Sequence, residues 1–201
     1  MIQNIISILI GYLFGNFLTA EIVSRKYTGK NIRQIGSGNP GMANVMSNIG
    51  KKQGILVLTG DVVKMLFAFA LAWFIAGKTH ASDIILWTGF GGILGHNFPF
   101  WRKFHGGKGV TVTCTWLIIF MPLWGTLCCI IGGVVTLITG YLPLGAILIP
   151  LLAIPFAFWQ KGMTAGIVFL ISALIMITRH LHGLKRIAQG TESRKFRNHS
   201  S

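Results

Sequence analysis

Long apolar runs separated by short polar, glycine-rich stretches set the pattern of this chain. Apolar residues dominate from Ile2 to Val23, from Gly54 to Ala76 and from Ile84 to Phe100. From Val110 to Gln160 there is no formally charged residue. Pro122, Gly140, Pro143 and Lys161 divide the region from Val110 to Thr178 into four more apolar stretches. Runs of this kind approach the roughly 20 residues that a helix needs to cross a bilayer. They are continuous rather than alternating, which argues against a transmembrane β-barrel. The pattern predicts an all-α integral membrane protein, a polytopic bundle of about seven transmembrane helices, some short or broken, forming one domain over residues 1–201. Three predicted spans precede the polar loop around Gly106 and four follow it.

Composition and charge add an orientation. The chain is 52% hydrophobic and only 11% charged, against about 25% charged in soluble domains. Its net charge of +14 is concentrated, since 15 of the 18 basic residues fall in three clusters. The first is Arg25, Lys26, Lys30, Arg33, Lys51 and Lys52; the second is Arg102, Lys103 and Lys108. The third is Arg179, Lys185, Arg186, Arg194, Lys195 and Arg197. Basic residues at membrane ends follow the positive-inside rule and suit anionic headgroups and phosphates better than nucleic acid. The N-terminus has no positive region before its first apolar run, so it is expected outside and not as a signal peptide. The weakly charged Lys78–Asp83 connection is likewise expected outside, and the basic tail in the cytoplasm. Cys114, Cys128 and Cys129 lie in apolar runs without ligand spacing, and read as small buried hydrophobes.

Three polar segments are then expected on one membrane face. The first is Gly36-Ser37-Gly38-Asn39-Pro40-Gly41-Met42-Ala43-Asn44-Val45. It matches the dinucleotide fingerprint G-x-G-x-x-G, but a membrane helix precedes it where that motif needs a strand. It is either a turn between helices or a loop whose N–H groups, hydroxyl and amides bind an anion. The second is Gly95-His96-Asn97-Phe98-Pro99 followed by Gly106-Gly107-Lys108-Gly109. Successive glycines let backbone N–H groups converge on an anion, and the lysine adds a full charge. That is a phosphate cradle in sequence form. The third is Arg179-His180-Leu181-His182 with Gly190-Thr191-Glu192. Carboxylates are too few to favour a metal site. Asp61 and Lys64 are three apart on one helix face and are expected to pair, as is Glu21 with a basic loop residue.

These three segments resemble the three motifs of the bacterial acyl-phosphate-dependent glycerol-3-phosphate acyltransferases, the PlsY family. Asp61 and Lys64 also fall in an Asp-x-x-Lys context similar to that family's. The resemblance spans nearly the whole chain. It implies a single membrane-embedded acyltransferase domain of seven helices in the bacterial cytoplasmic (inner) membrane, with its active site open to the cytoplasm. The implied reaction moves an acyl chain from acyl phosphate to glycerol 3-phosphate, giving lysophosphatidic acid. No metal or other cofactor is implied, and neither acyl carrier protein nor acyl-CoA serves as donor. Membrane lipids and the two substrates are the implied partners.

The resemblance assigns Gly106, Gly107, Lys108 and Gly109 to a phosphate site for glycerol 3-phosphate. Ser37 and Asn39, with Gly38 and Asn44 beside them, would orient a phosphate or the reacting carbonyl. His96, Asn97 and His180 would hydrogen-bond acceptor or phosphate oxygens. The chain departs from the family pattern at Ala43 and Ser47, where Thr and Arg are usual, and at Gly183, where Asn is usual. Gly15-Asn16-Phe17-Leu18 stands where the family has Gly-Ser-Ile-Pro. A paralogue acylating another phosphorylated acceptor, and a non-enzymatic transporter or lipid-binding scaffold, are the competing readings.

Overall fold

A computed structural model of the chain describes residues 1–76 and 81–194. Lys78 and Thr79 of the expected outer connection, and Lys195 and Arg197 of the basic tail, lie outside the described residues. Among the described residues there are nine α-helices and no strand. They are α1 (Ile2–Gly15), α2 (Thr19–Thr28), α3 (Met42–Asn48), α4 (Lys51–Ala76), α5 (Ala81–Asn97), α6 (Val110–Phe120), α7 (Pro122–Thr139), α8 (Leu142–Lys161) and α9 (Met163–Ala188). Five segments are long and apolar enough to cross a membrane: Ile2–Thr28, Lys51–Ile75, Pro122–Thr139, Leu142–Lys161 and Met163–Ala188. Between the second and third of these lie the 17-residue α5 and the 11-residue α6. Among the described residues, five candidate spans, the first of them broken, and these two shorter helices fit the expected all-α membrane bundle, with its count of seven approximate.

Many large apolar residues face outward, as few do in a soluble protein. On α1, Ile5, Leu9 and Leu13 are each more than half exposed, whereas Ser7, Gly11 and Gly15 are buried. A lipid solvent explains this, because it rewards apolar surface and leaves close packing to small residues.

The chain divides into two compact units, Met1–Trp116 and the part from Leu117 onward. In the first, α1 packs on α5 with almost no side chain between them. A Cβ on Gly11 would lie 2.0 Å from the carbonyl oxygen of Thr88, and one on Gly95 would lie 2.1 Å from that of Tyr12. Each helix carries a G-x-x-x-G pair here, Gly11 with Gly15 and Gly91 with Gly95. Even Gly95→Ala must push two backbones apart. It is expected to destabilise the protein by about 1–3 kcal/mol, read as a lower thermal midpoint in detergent.

The first span is not continuous. It breaks between Gly15 and Thr19, and the carbonyls released by the break are met by distant groups. Lys64 Nζ donates to Phe17 O at 2.7 Å and lies 3.5 Å from Gly15 O; Trp101 Nε1 donates to Asn16 O at 2.9 Å. Asn16 Oδ1 in turn accepts from Phe100 N at 3.0 Å. Irregular backbone at membrane depth persists only where protein covers it. Here the cover also fixes the start of the polar loop that follows α5.

In the second unit, α7 ends at the left-handed Gly140, and Pro143 sits in the first turn of α8. Gly132 and Gly145 allow close approach of α7 and α8, and Phe120 stacks on Phe169 with centroids 5.7 Å apart. α9 continues well past Thr178 and takes in the whole Arg179–Gly183 segment. No breaker interrupts it before Gly190, and Lys185 and Arg186 suit the negative end of the helix dipole.

Candidate active site

The first unit gathers the first two polar segments around the C-terminal end of α5. His96 and Asn97 close that helix and are buried, at 4% and 0% exposed. The chain turns through Phe98–His105 and returns. Gly106 N then donates to Asn97 O at 3.0 Å, and Gly107 N to His96 O at 2.9 Å. The glycines thus cap the terminal carbonyls of α5. This differs from the cradle that the sequence suggests, because these two N–H groups are turned inward and are not anion donors. The need for glycine is instead steric. A Cβ on Gly106 would lie 2.1 Å from His96 O, and one on Gly107 would lie 2.2 Å from His96 Nε2 and 3.1 Å from Pro40 O. Pro40, in the first polar segment, thus lies next to the glycine loop.

The rest of the loop remains suited to an anion. Gly109 is left-handed, with φ of 76°, and α6 starts immediately after it. Helix starts present N–H groups and the positive end of the dipole. Lys108 is half-buried beside it. The side chain of Asn97 lies against the same turn, and a Cβ on Gly109 would lie 2.7 Å from its Oδ1. Both Asn97 Oδ1 and Nδ2 are buried and have no hydrogen-bond partner among the described residues. An unmet buried amide costs about 1–3 kcal/mol. Buried polar groups are usually paired, so this amide is a candidate ligand contact.

His96 is held from behind by Lys64, whose Nζ is 3.0 Å from Nδ1. The expected pairing of Lys64 with Asp61 is present at 2.8 Å, and Thr19 Oγ1 donates to Asp61 Oδ1 at 3.0 Å. Glu21 likewise takes the expected loop partner, with Arg102 at 2.9 Å, alongside Arg25 at 2.6 Å. Arg102 also reaches Asn31 Oδ1 at 3.1 Å, and the Arg33 guanidinium donates to the His105 carbonyl. These ties fasten the loop after α5 to α2 and to the chain that leads into the first segment.

Within the first segment, Ser37 is exposed and Asn39 half-buried. Ser37 Oγ accepts from Asn39 N at 3.5 Å. Asn44 was expected to contact substrate, but the structure gives it another role. Its Nδ2 donates to Ile35 O and Asn39 O, and its Oδ1 accepts from Ser37 N and Asn48 Nδ2, all within 2.9–3.1 Å. Every position of the amide is filled by the loop itself, so Asn44 sets the loop's curvature and the attitude of Ser37. Gly38, with φ of 69°, allows the turn between them. Beneath, Ala20, Val23, Ile32, Val45 and Val57 form a buried cluster that fastens the loop to α2 and α4.

His180 belongs to the second unit, buried in α9. Its Nδ1 is 2.9 Å from Met176 O. A carbonyl only accepts, so Nδ1 carries the proton and Nε2 is the lone-pair nitrogen. Gly183, one turn on, packs against a proline. A Cβ there would lie 2.7 Å from Pro143 Cγ, so any larger side chain at this position displaces the proline ring. Among the described residues no three His, Cys, Asp or Glu side chains come together as a metal-binding group. Sequence reading did not find the link from Lys64 to His96, for which no local spacing exists.

Comparison with known proteins follows the same lines. The model of the family described as "Glycerol-3-phosphate acyltransferase" matches residues 5–190. A glycerol-3-phosphate acyltransferase 1 from Lactobacillus johnsonii is 40% identical over 176 residues, covering 87% of this chain and 84% of that one. A glycerol-3-phosphate acyltransferase 2 from Thermotoga maritima is 31% identical over 186 residues, 92% of each chain. The crystal structure of PlsY (YgiH), an integral membrane glycerol 3-phosphate acyltransferase, in its glycerol 3-phosphate form has a TM-score of 0.83 at 27% identity. That comparison covers 95% of this chain and 94% of the other. The lysophosphatidic acid form of the same protein has a TM-score of 0.81 at 25% identity, with the same coverage.

Proposed function

This chain belongs to the glycerol-3-phosphate acyltransferase family, and we propose that it takes its acyl group from acyl phosphate. The acceptor is glycerol 3-phosphate and the product lysophosphatidic acid. The hydroxyl oxygen of the acceptor bonds to the acyl carbon, the carbon–oxygen bond to phosphate breaks, and inorganic phosphate leaves with the hydroxyl proton. The donor is already an activated anhydride, so no covalent enzyme intermediate is required. The protein's task is to hold two anionic substrates together and to balance charge.

One observation supports the phosphate site of this reading: the buried amide of Asn97, with both polar atoms unmet, beside Lys108 and the start of α6. Lys108 neutralises phosphate charge, Gly109 and the first turn of α6 supply N–H groups, and Asn97 fixes an oxygen. Gly106 and Gly107 hold the loop closed and leave room for His96. Ser37 and Asn39, with Gly38 between them, orient a phosphate oxygen from the first loop. Asn44 acts through the loop it shapes. The single-domain organisation, the bacterial cytoplasmic membrane, an outer N-terminus and a cytoplasmic site and C-terminus belong to the same proposal. They are supported by the match over residues 5–190 and by the placement of basic residues along the sequence.

The test is purified protein in lipid nanodiscs, offered glycerol 3-phosphate with acyl phosphate, acyl-CoA or acyl carrier protein thioester in separate reactions. Lysophosphatidic acid and phosphate should form together with acyl phosphate alone. Product from a thioester, with none from acyl phosphate, would overturn the donor assignment. Asn97→Leu serves as the site control. It removes both unmet groups at similar volume, so it is expected to raise the thermal midpoint while lowering turnover at least tenfold. A stabilising loss of function of this kind is the mark of a polar group kept for a ligand.

A further inference from the structure

We propose that Lys64 is a positioning residue for acyl transfer, a role that rests on the acyltransferase reading above: it fixes the ring proton of His96 on Nε2, the nitrogen turned to the glycine loop. An ammonium has three protons and no lone pair. Lys64 has three close partners, Phe17 O at 2.7 Å, Asp61 Oδ1 at 2.8 Å and His96 Nδ1 at 3.0 Å. Toward His96 it can only donate. Nδ1 is therefore the acceptor, and the proton of the neutral ring sits on Nε2. Nε2 is the atom that a Cβ on Gly107 would approach to 2.2 Å. His96 thus presents an N–H donor, not a lone pair, to the phosphate loop. In that state it stabilises an anionic oxygen and takes no proton from the attacking hydroxyl.

The surroundings keep the arrangement in place. Lys64 and Asp61 are both buried, at 6% and 2% exposed, so neither is loosened by water. Thr19 holds Asp61, and the broken end of α1 supplies the carbonyl that takes the second proton of Lys64. An ion pair that served the helix break alone would need no contact with a side chain on α5. The reach to His96, 32 residues away in sequence, ties the break to the site.

Full-length protein labelled with ¹⁵N-histidine in nanodiscs tests this without substrate. Protonated and unprotonated ring nitrogens resonate far apart, and His96 is assigned by difference against His96→Gln. The wild-type ring should show an unprotonated Nδ1 and a protonated Nε2. A proton on Nδ1 would overturn the proposal with no variant needed. Asp61→Asn combined with Lys64→Met removes both buried charges together, so no lone charge remains to unfold the helix. The proton should then redistribute between the two nitrogens, and kcat should fall at least tenfold while KM for glycerol 3-phosphate moves less than threefold. An unchanged tautomer, or an unchanged kcat with a moved tautomer, would refute the role of Lys64. If the double variant does not fold, His96→Gln and His96→Asn decide. Gln places its amide N–H where Nε2 was and should retain at least tenfold more activity than Asn; equal loss would count against the donor role. A wild type with the expected tautomer that makes no lysophosphatidic acid would instead sink the acyltransferase reading, and leave the ring assignment standing.

Discussion

Lys108→Ala is expected to lower kcat/KM for glycerol 3-phosphate by about 10- to 100-fold. The side chain is half-buried at the turn where Gly109 leads into α6, next to the unmet amide of Asn97. A hydrogen bond to a charged group contributes about 1.5–3 kcal/mol, which is roughly one to two decades. The phosphate of glycerol 3-phosphate is remote from the hydroxyl that reacts. Its contacts are much the same in ground and transition states, so most of the loss should appear in KM. The thermal midpoint should hardly move. The measurement is a substrate titration in nanodiscs beside a melting curve. A variant with normal kcat/KM at subsaturating glycerol 3-phosphate would remove Lys108 from the phosphate site.

What the sequence disclosed and what it hid divide along a physical line. Apolar runs report membrane helices because length and hydropathy are local properties, and the punctuation at Pro122, Gly140 and Pro143 falls at the ends of α7 and α8. The Asp61–Lys64 pair was legible for the same reason, since three residues span less than a helical turn. The break at Asn16 was not legible. Its released carbonyls are met by Lys64 and Trp101, 47 and 85 residues away in sequence, and no composition signal marks such partners. The glycine loop was recognised as a feature but assigned the wrong donors, because nothing local says that Gly106 and Gly107 fold back onto the end of α5. Asn44 illustrates the same limit. An amide in an anion-like loop looks like a ligand group until its four hydrogen bonds are found inside the loop.

The departures from the family pattern also gain a physical account in one case. Gly183 stands where Asn is usual, and the ring of Pro143 fills the space that a larger side chain would need. An Asn introduced at 183 would force the Pro143 ring to shift. Nothing in the structure explains Ser47, which is exposed on the short helix α3.

Gly106→Ala and Gly107→Ala add the same methyl group to adjacent positions, yet they should fail in different ways. At 106 the new Cβ meets backbone, with His96 O at 2.1 Å, and the fixed ring of Pro99, with Cδ at 2.5 Å. Neither can rotate away, so the cap on α5 must open. The expected result is a destabilised protein, by about 1–3 kcal/mol. At 107 the Cβ meets chiefly the imidazole of His96, with Nε2 at 2.2 Å and Cδ2 at 2.8 Å, and the nearest backbone atom, Pro40 O, is farther off at 3.1 Å. Here a side chain can yield, but this one is pinned on its other edge by Lys64 at 3.0 Å. Relief comes by turning the ring, which draws Nε2 away from the loop and disturbs the bond to Lys64. Gly107→Ala should therefore keep most of its thermal stability and lose kcat at least a hundredfold, because misplacing a group at the reacting centre by about 1 Å costs on that order. The check is a melting curve and a full kinetic analysis of both variants. A Gly107→Ala enzyme with wild-type kcat would show that the ring edge facing the loop takes no part in the reaction, and would take His96 out of the active site.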